Sequence, residues 1–260
     1  MIPLVDLKRQ YVAIKEELDA AYFEVVTNTA FIKGERLQKF ETHFADYCGS
    51  RHAVGASSGT SAIHLALAAL DIGAGDEVII PSHTFFATAE PVIHVGATPI
   101  FCDIDPRTYL IDTEMIQTLI TDQTKAIIPV HLYGQMAPMD ELLKIASDRG
   151  IHIIEDCAQA HGAEQYHHKA GSSGVAGCFS FFPGKNLGAY GDGGAVTCQD
   201  EELADRIAKL ADHGRATKYT HDIVGYNYRL DALQATILSV KLRYIEEWTK
   251  CRRSRAALYD

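Results

Sequence analysis

Apolar residues recur at three- and four-residue spacing over residues 9–27 (Tyr11, Ile14, Leu18, Tyr22, Val25) and 34–48 (Leu37, Phe40, Phe44, Tyr47), which predicts two amphipathic helices. Beyond them, short β-branched runs alternate with helical patterns: HAVGAS then TSAIHLALAAL, EVIIP then FFATAEPVIHV, TPIFCDI then EMIQTLI, AIIPV then MDELLKIASDRG, and then IHIIED. Continuously apolar strands separated by helices predict a mainly parallel sheet covered on both faces, a three-layer α/β/α architecture. From residue 176 the rhythm breaks into two runs, GCFSFF and GGAVTC, around a glycine-rich loop, followed by helices at about 200–213 and 230–259. The division expected is an N-terminal helical arm (1–30), a large ligand-binding domain (31–230) and one long terminal helix (231–260). That helix pattern stops without a glycine cap or a proline, so the chain is expected to end in mid-helix, ahead of a further small domain that is largely absent.

Composition narrows the partners. The 260 residues carry a formal charge of -10, with Lys and Arg dispersed, which argues against nucleic acid and anionic membrane surfaces. No run approaches about 18 uncharged apolar residues and the N-terminus lacks a signal-peptide pattern, so a soluble cytoplasmic protein is expected. Six cysteines at wide spacing include no C-x-x-C, so no metal site is expected and a reducing compartment fits.

In open α/β sheets, ligands sit at the carboxyl ends of strands, which directs attention to three elements. Lys185 lies in SFFPGKNLGAYGDGG, where surrounding glycines let the backbone approach a ligand; a lone lysine in such a loop is more often a solvated residue on a turn. A phosphate loop is excluded because position 179, where its first glycine belongs, is Phe. The strand IHIIED delivers Glu155 and Asp156, either as turn formers or as a carboxylate for a cofactor's protonated ring nitrogen. For pyridoxal phosphate, such a carboxylate about 3 Å from the nitrogen is worth roughly 5 kcal/mol at an effective dielectric of 20. Finally, GASSGTSAIHLAL joins a strand to a helix N-terminus, serving as an N-cap, an anion site or both.

Taken in order, SSGTSA, PSHTFFAT, EDCAQAHGA, SFFPGKNLGAYGDGG and GYNYRLDALQA resemble the sugar aminotransferases of the DegT/DnrJ/EryC1/StrS family, from about residue 2 to the end. The resemblance implies the large domain of a fold type I pyridoxal-phosphate enzyme. It also implies transfer of an amino group from L-glutamate to a nucleotide-linked keto-sugar, a 3-keto or 4-keto hexose, in amino-sugar biosynthesis for surface polysaccharide or antibiotics. RLDALQA is more similar to enzymes acting at carbon 3. By the same resemblance, Lys185 holds the cofactor as a Schiff base and shuttles the proton, while Asp156 pairs with the ring nitrogen. Gln159 bonds the ring hydroxyl and Phe85 stacks on the ring, although Phe85 also reads as a plain core aromatic. Gly59, Thr60, Ser61 and Ser180 form the phosphate cup, and Asn227 reaches it from the neighbouring subunit of a homodimer. His161 lies within its motif without an assigned role. Family members with histidine at the lysine position are dehydratases, so Lys185 favours transamination. The alternatives are another pyridoxal-phosphate reaction on a keto-sugar or cyclitol, and a catalytically silent binding or regulatory member.

Overall fold

A computed structural model describes residues 5–259. The N-terminal helices are α1 (Leu7–Ala13), α2 (Lys15–Thr27) and α3 (Glu35–Cys48). There follow β1 (His52–Ala56), α4 (Gly59–Ala69), β2 (Glu77–Pro81), α5 (Glu90–His94), β3 (Thr98–Cys102), α6 (Thr113–Leu119), β4 (Thr124–Ile127), α7 (Met139–Arg149) and β5 (His152–Asp156). A hairpin of β6 (Glu164–Gln165) and β7 (His168–Lys169) leads to β8 (Ala176–Ser180) and β9 (Gly194–Cys198). The chain closes with α8 (Glu201–Ala211), α9 (Ala232–Leu242) and α10 (Ile245–Ala256).

The main sheet has seven strands in the order β1-β9-β8-β5-β4-β2-β3. The expected parallel sheet is present, with β9 the one reversed strand, antiparallel to both neighbours. Reversal follows from the connection: β8 and β9 are joined by the glycine-rich loop without a crossover helix, and only antiparallel neighbours can be joined so directly.

Alternation along the strands fills both faces. Ile79, Ile127, Ile153 and Phe179 point to one side, against Phe40 and Phe44 of α3, Leu142 of α7 and Leu238 of α9. Val78, Ile80, Ile154 and Val196 point to the other, against Leu65 and Leu67 of α4 and Ile207 of α8. Helix starts are set by side-chain caps: Asp200 accepts from Leu203 N and Asp231 from Gln234 N.

Two helix expectations need correction. The periodic stretch 9–27 breaks at Ile14, whose non-helical backbone (φ -128°, ψ 23°) separates α1 from α2 while its side chain packs with Leu18, Ile237 and Val240. The single long helix expected over 231–260 is two helices, parted at Arg243–Tyr244 by tighter hydrogen bonds, Arg243 N to Val240 O and Tyr244 N to Lys241 O. This turn buries Ile245 in the main core and lets the Tyr244 hydroxyl donate to Glu17 on α2. Residues 1–4 of the expected arm, and residue 260 of the expected terminal helix, lie outside the described residues. Among the described residues no helix is long and apolar enough to cross a membrane.

Candidate active site

A cavity of about 390 Å³ opens at the carboxyl ends of β5 and β8, roofed by the start of α4 and the loop after β2. Successive strand residues face opposite ways, so the two acids ending β5 part company. Asp156 turns to the cavity, 5% exposed, where its carboxylate accepts from the Thr88 hydroxyl (2.8 Å) and the Ala158 N–H (3.0 Å). Burial pushes this carboxyl up, against the pull of those two donors and of the nearby Lys185 charge. Thr84, 2.8 Å from Thr88 through their hydroxyls, extends the network along the wall.

Glu155 turns away and is saturated. Its oxygens accept from His131 Nε2 (2.8 Å) and from the N–H groups of Gly171 (2.9 Å), Ser173 (2.9 Å) and Gly174 (2.7 Å). Because His131 Nδ1 accepts from Ala137 N (3.0 Å), the ring proton sits on Nε2, facing the carboxylate. Burial alone would raise the Glu155 carboxyl, but the bonds from His131 and the backbone outweigh it and hold it below the usual range. With Cys157, these side chains lie within 4.8 Å of one another, yet both His131 nitrogens and both Glu155 oxygens are already engaged in hydrogen bonds.

Lys185 enters from the loop between β8 and β9, on a turn closed by its own N–H to Phe182 O (2.8 Å). It is half-buried, and burial pushes its ammonium below the usual lysine range against the opposing effect of Asp156. Opposite, α4 begins with a capping box in which Ser58 and Ser61 satisfy each other's backbone N–H groups. The Gly59 and Thr60 N–H groups stand outside that box, at the positive end of the helix dipole on the cavity wall. A Cβ at Gly59 would sit 2.7 Å from the Ser180 Cβ, so only glycine lets this backbone lie against Ser180.

Gln159 is oriented by the Tyr133 N–H, which donates to its Oε1 (2.9 Å). A backbone N–H can only donate, so the amide NH2 is left free as a donor. Phe85 lines the cavity and is 75% exposed, which removes the reading of it as a core aromatic.

Seven expected site residues therefore share the cavity: Gly59, Thr60, Phe85, Asp156, Gln159, Ser180 and Lys185. Two do not. Ser61 is spent on the capping box, its hydroxyl bonded to Ser57, Ser58 and the Ser58 carbonyl. Asn227 is exposed and bridged to Asp212, away from the cavity walls. His161 is 2% exposed beside Phe179 and Phe181, both of its nitrogens unbonded, and burial with the Lys185 charge pushes it down to about 3, a neutral core ring. Sequence reasoning missed Thr84, Thr88 and Asp192; the first two lie in the HTFFAT stretch singled out for Phe85 alone.

The donor set fits pyridoxal phosphate. The cavity holds a buried carboxylate with only two hydrogen-bond donors, an amide with a free donor, a lysine of lowered basicity and a helix N-terminus that a Cβ would block. One polar end suits a ring nitrogen and the other a phosphate.

Comparison with known proteins agrees with the geometry. The model of the DegT/DnrJ/EryC1/StrS aminotransferase family matches residues 12–260. The chain is 47% identical over 258 residues to the "Pleiotropic regulatory protein" of Geobacillus stearothermophilus, covering 99% of this chain and 69% of that one. It is 46% identical to the UDP-N-acetyl-3-dehydro-alpha-D-glucosamine 3-aminotransferase of Acidithiobacillus ferrooxidans, covering 99% and 70%. Among solved structures, S. venezuelae DesV in complex with a ketimine intermediate superposes with a TM-score of 0.97 at 44% identity, covering 99% and 70%.

Proposed function

This chain belongs to the DegT/DnrJ/EryC1/StrS aminotransferase family, and we propose that it uses pyridoxal phosphate to move an amino group from L-glutamate to the 3-keto carbon of a nucleotide-linked hexose. The observation that carries this reading is the convergence of Lys185 and Asp156 on one cavity that also receives the first residues of α4. The substrate class is supported by the relative that acts on a UDP-linked 3-dehydro sugar.

When bound, pyridoxal phosphate supplies an aldehyde that captures the amine and a protonated ring that draws electrons from the bond being broken. The rest of the chemistry belongs to side chains. Lys185 Nζ, less basic than an exposed lysine, is available unprotonated to hold the cofactor and then to carry a proton between the two carbons that exchange the amine. Asp156, fixed by Thr88 and Ala158, would hold a negative charge for the ring nitrogen. Gln159, its Oε1 held by the Tyr133 N–H, would offer its free NH2 to the ring oxygen. Gly59 N–H, Thr60 N–H and the Ser180 hydroxyl would receive the phosphate. Phe85, Leu132 and Phe182 give the cavity apolar walls against which a planar ring would pack. Asn227, exposed on its own subunit, completes the phosphate site of a second chain in a homodimer.

The test is a half-reaction. Holoenzyme given L-glutamate alone should release one equivalent of 2-oxoglutarate per chain and lose its cofactor absorbance, then regain it when a nucleotide-linked 3-keto hexose is added. Faster recovery with a 4-keto sugar would reassign the carbon. Absence of bound cofactor and of any turnover would favour the silent regulatory reading, to which the name of the Geobacillus stearothermophilus relative points.

A further inference from the structure

Lys241 is the one lysine among the described residues that the fold encloses almost completely, at 1% exposure. Its ammonium donates to the Gly188 carbonyl (2.6 Å) and lies 4.0 Å from the centroid of the Tyr190 ring. Among the described residues no carboxylate pairs with it. A buried ammonium without a counter-ion is costly, and a methionine would fill the same space at less expense. Burial pushes it down to about 8. Its two stabilising partners, a carbonyl and an aromatic face, both belong to the loop that bears Lys185.

The same helix holds that loop at a second point. Gln234 Oε1 accepts from Tyr190 N (2.8 Å). Residues 234 and 241 are two helical turns apart and share a face of α9. The loop itself is closed by Ala189 N to Phe181 O (2.8 Å), with Leu187 and Ala189 fully buried. Gly188 tolerates nothing larger, since a Cβ there would meet the Pro183 carbonyl at 2.3 Å. Lys185 thus projects from a closed loop whose far limb is gripped by α9 at Gly188 and Tyr190.

We propose that Lys241 is a positioning residue: by anchoring the loop through Gly188 O and the Tyr190 ring, it aims Lys185 Nζ into the cavity toward Asp156. This rests on the reading of Lys185 as the residue that holds the cofactor. Lys241 touches neither cofactor nor substrate and acts only through the loop.

The experiment compares wild-type holoenzyme with Lys241→Met and Lys241→Gln, the second of which keeps a donor for Gly188 O. Three quantities are read: borohydride trapping of pyridoxal phosphate on Lys185 by peptide mass spectrometry, amide exchange across residues 186–190, and kcat separately from KM. Lys241→Met should melt no lower than wild type, trap cofactor about tenfold more slowly, and exchange faster at 186–190 but not within α9. Its kcat should fall about tenfold or more, with the KM for L-glutamate little changed. Lys241→Gln should recover part of each loss. Trapping and exchange at wild-type values in Lys241→Met would overturn the proposal, as would faster exchange throughout α9 with a lowered melting temperature, the mark of a packing role. Should Lys241→Met not fold, Tyr190→Leu carries the same readouts with the same expected direction. If wild type traps no cofactor on Lys185, it is the underlying reading that fails, a result separate from any difference among variants.

Discussion

On one side of the β5 terminus, the Glu155 carboxylate is surrounded by four N–H donors; on the other, Asp156 receives two donors and keeps an edge on the cavity. The two acids are adjacent in sequence and both are buried, yet their ionisation moves in opposite directions. A completed donor shell fixes the charge of Glu155 and makes it part of the scaffold, tying β5 to His131 and to the backbone at 171–174. The incomplete shell of Asp156 leaves burial in command of its carboxyl, and a further cation placed beside it would favour its charge. What separates the acid locked into the scaffold from the one that faces the cavity is the number of donors it lacks, not its depth.

The sharpest way to break that contrast is Asp156→Asn, which keeps the shape and removes the charge. A ring cation about 4 Å from the lost carboxylate forfeits about 4 kcal/mol at an effective dielectric of 20, so kcat should drop about 10³-fold while the apoprotein melts no earlier. An unaltered kcat would remove Asp156 from the reaction. Glu155→Gln should do the reverse, lowering stability by about 3 kcal/mol in chemical denaturation while molecules that remain folded keep their kcat. The wild-type contribution of Glu155 is present above the unfolded carboxyl range and fades as pH falls through its lower folded value, so the difference between the two proteins should shrink in acid.

Glu41 tests whether a donor-poor acid outside the cavity follows the same rule. It accepts one N–H, from Gly55, and burial raises it to about 7. A carboxyl that binds its proton more tightly when folded stabilises fully below the unfolded value near 4.5 and loses that contribution as pH rises through 7. Glu41→Gln should therefore be more stable than wild type at pH 8 by about 2 kcal/mol, allowing for partial exposure, and no more stable at pH 4. A constant difference across pH would show that Glu41 does not titrate in this range. The smallest effect is expected for Gly59→Ala, where the added Cβ must displace Ser180: cofactor affinity should fall about tenfold, or about 1.4 kcal/mol, in equilibrium dialysis.

The sheet and most of the cavity were legible because both follow local patterns. Strand ends and helix starts converge at one rim of an α/β sheet, which singles out Asp156, the loop of Lys185 and the start of α4, whereas Ser180 and Gly59 as phosphate ligands follow only from the family resemblance. Thr88 was not, because a threonine inside an apolar stretch carries no signal until a carboxylate is packed against it. Ser61 was placed in the phosphate cup on motif alone, whereas the capping box consumes its hydroxyl. Lys241 was invisible for a different reason. In ILSVKLRYIEEW it reads as the polar position of a surface helix, and only the loop descending from β9's root turns that position inward. The break at Arg243 likewise depends on where Ile245 and Tyr244 find partners, which periodicity does not record.

The reversed direction of β9 bears on where this fold can grow. Ser180 and Gly194 are register partners, so the loop that carries Lys185 begins and ends at one rung of the sheet. Extra residues there would have to bulge across the mouth of the cavity or loosen the hold of α9. The β6–β7 turn, by contrast, is exposed at Tyr166 and His167, and both already adopt left-handed backbone. Insertions, affinity tags and new chain termini belong at that turn, where lengthening leaves the lysine's loop untouched.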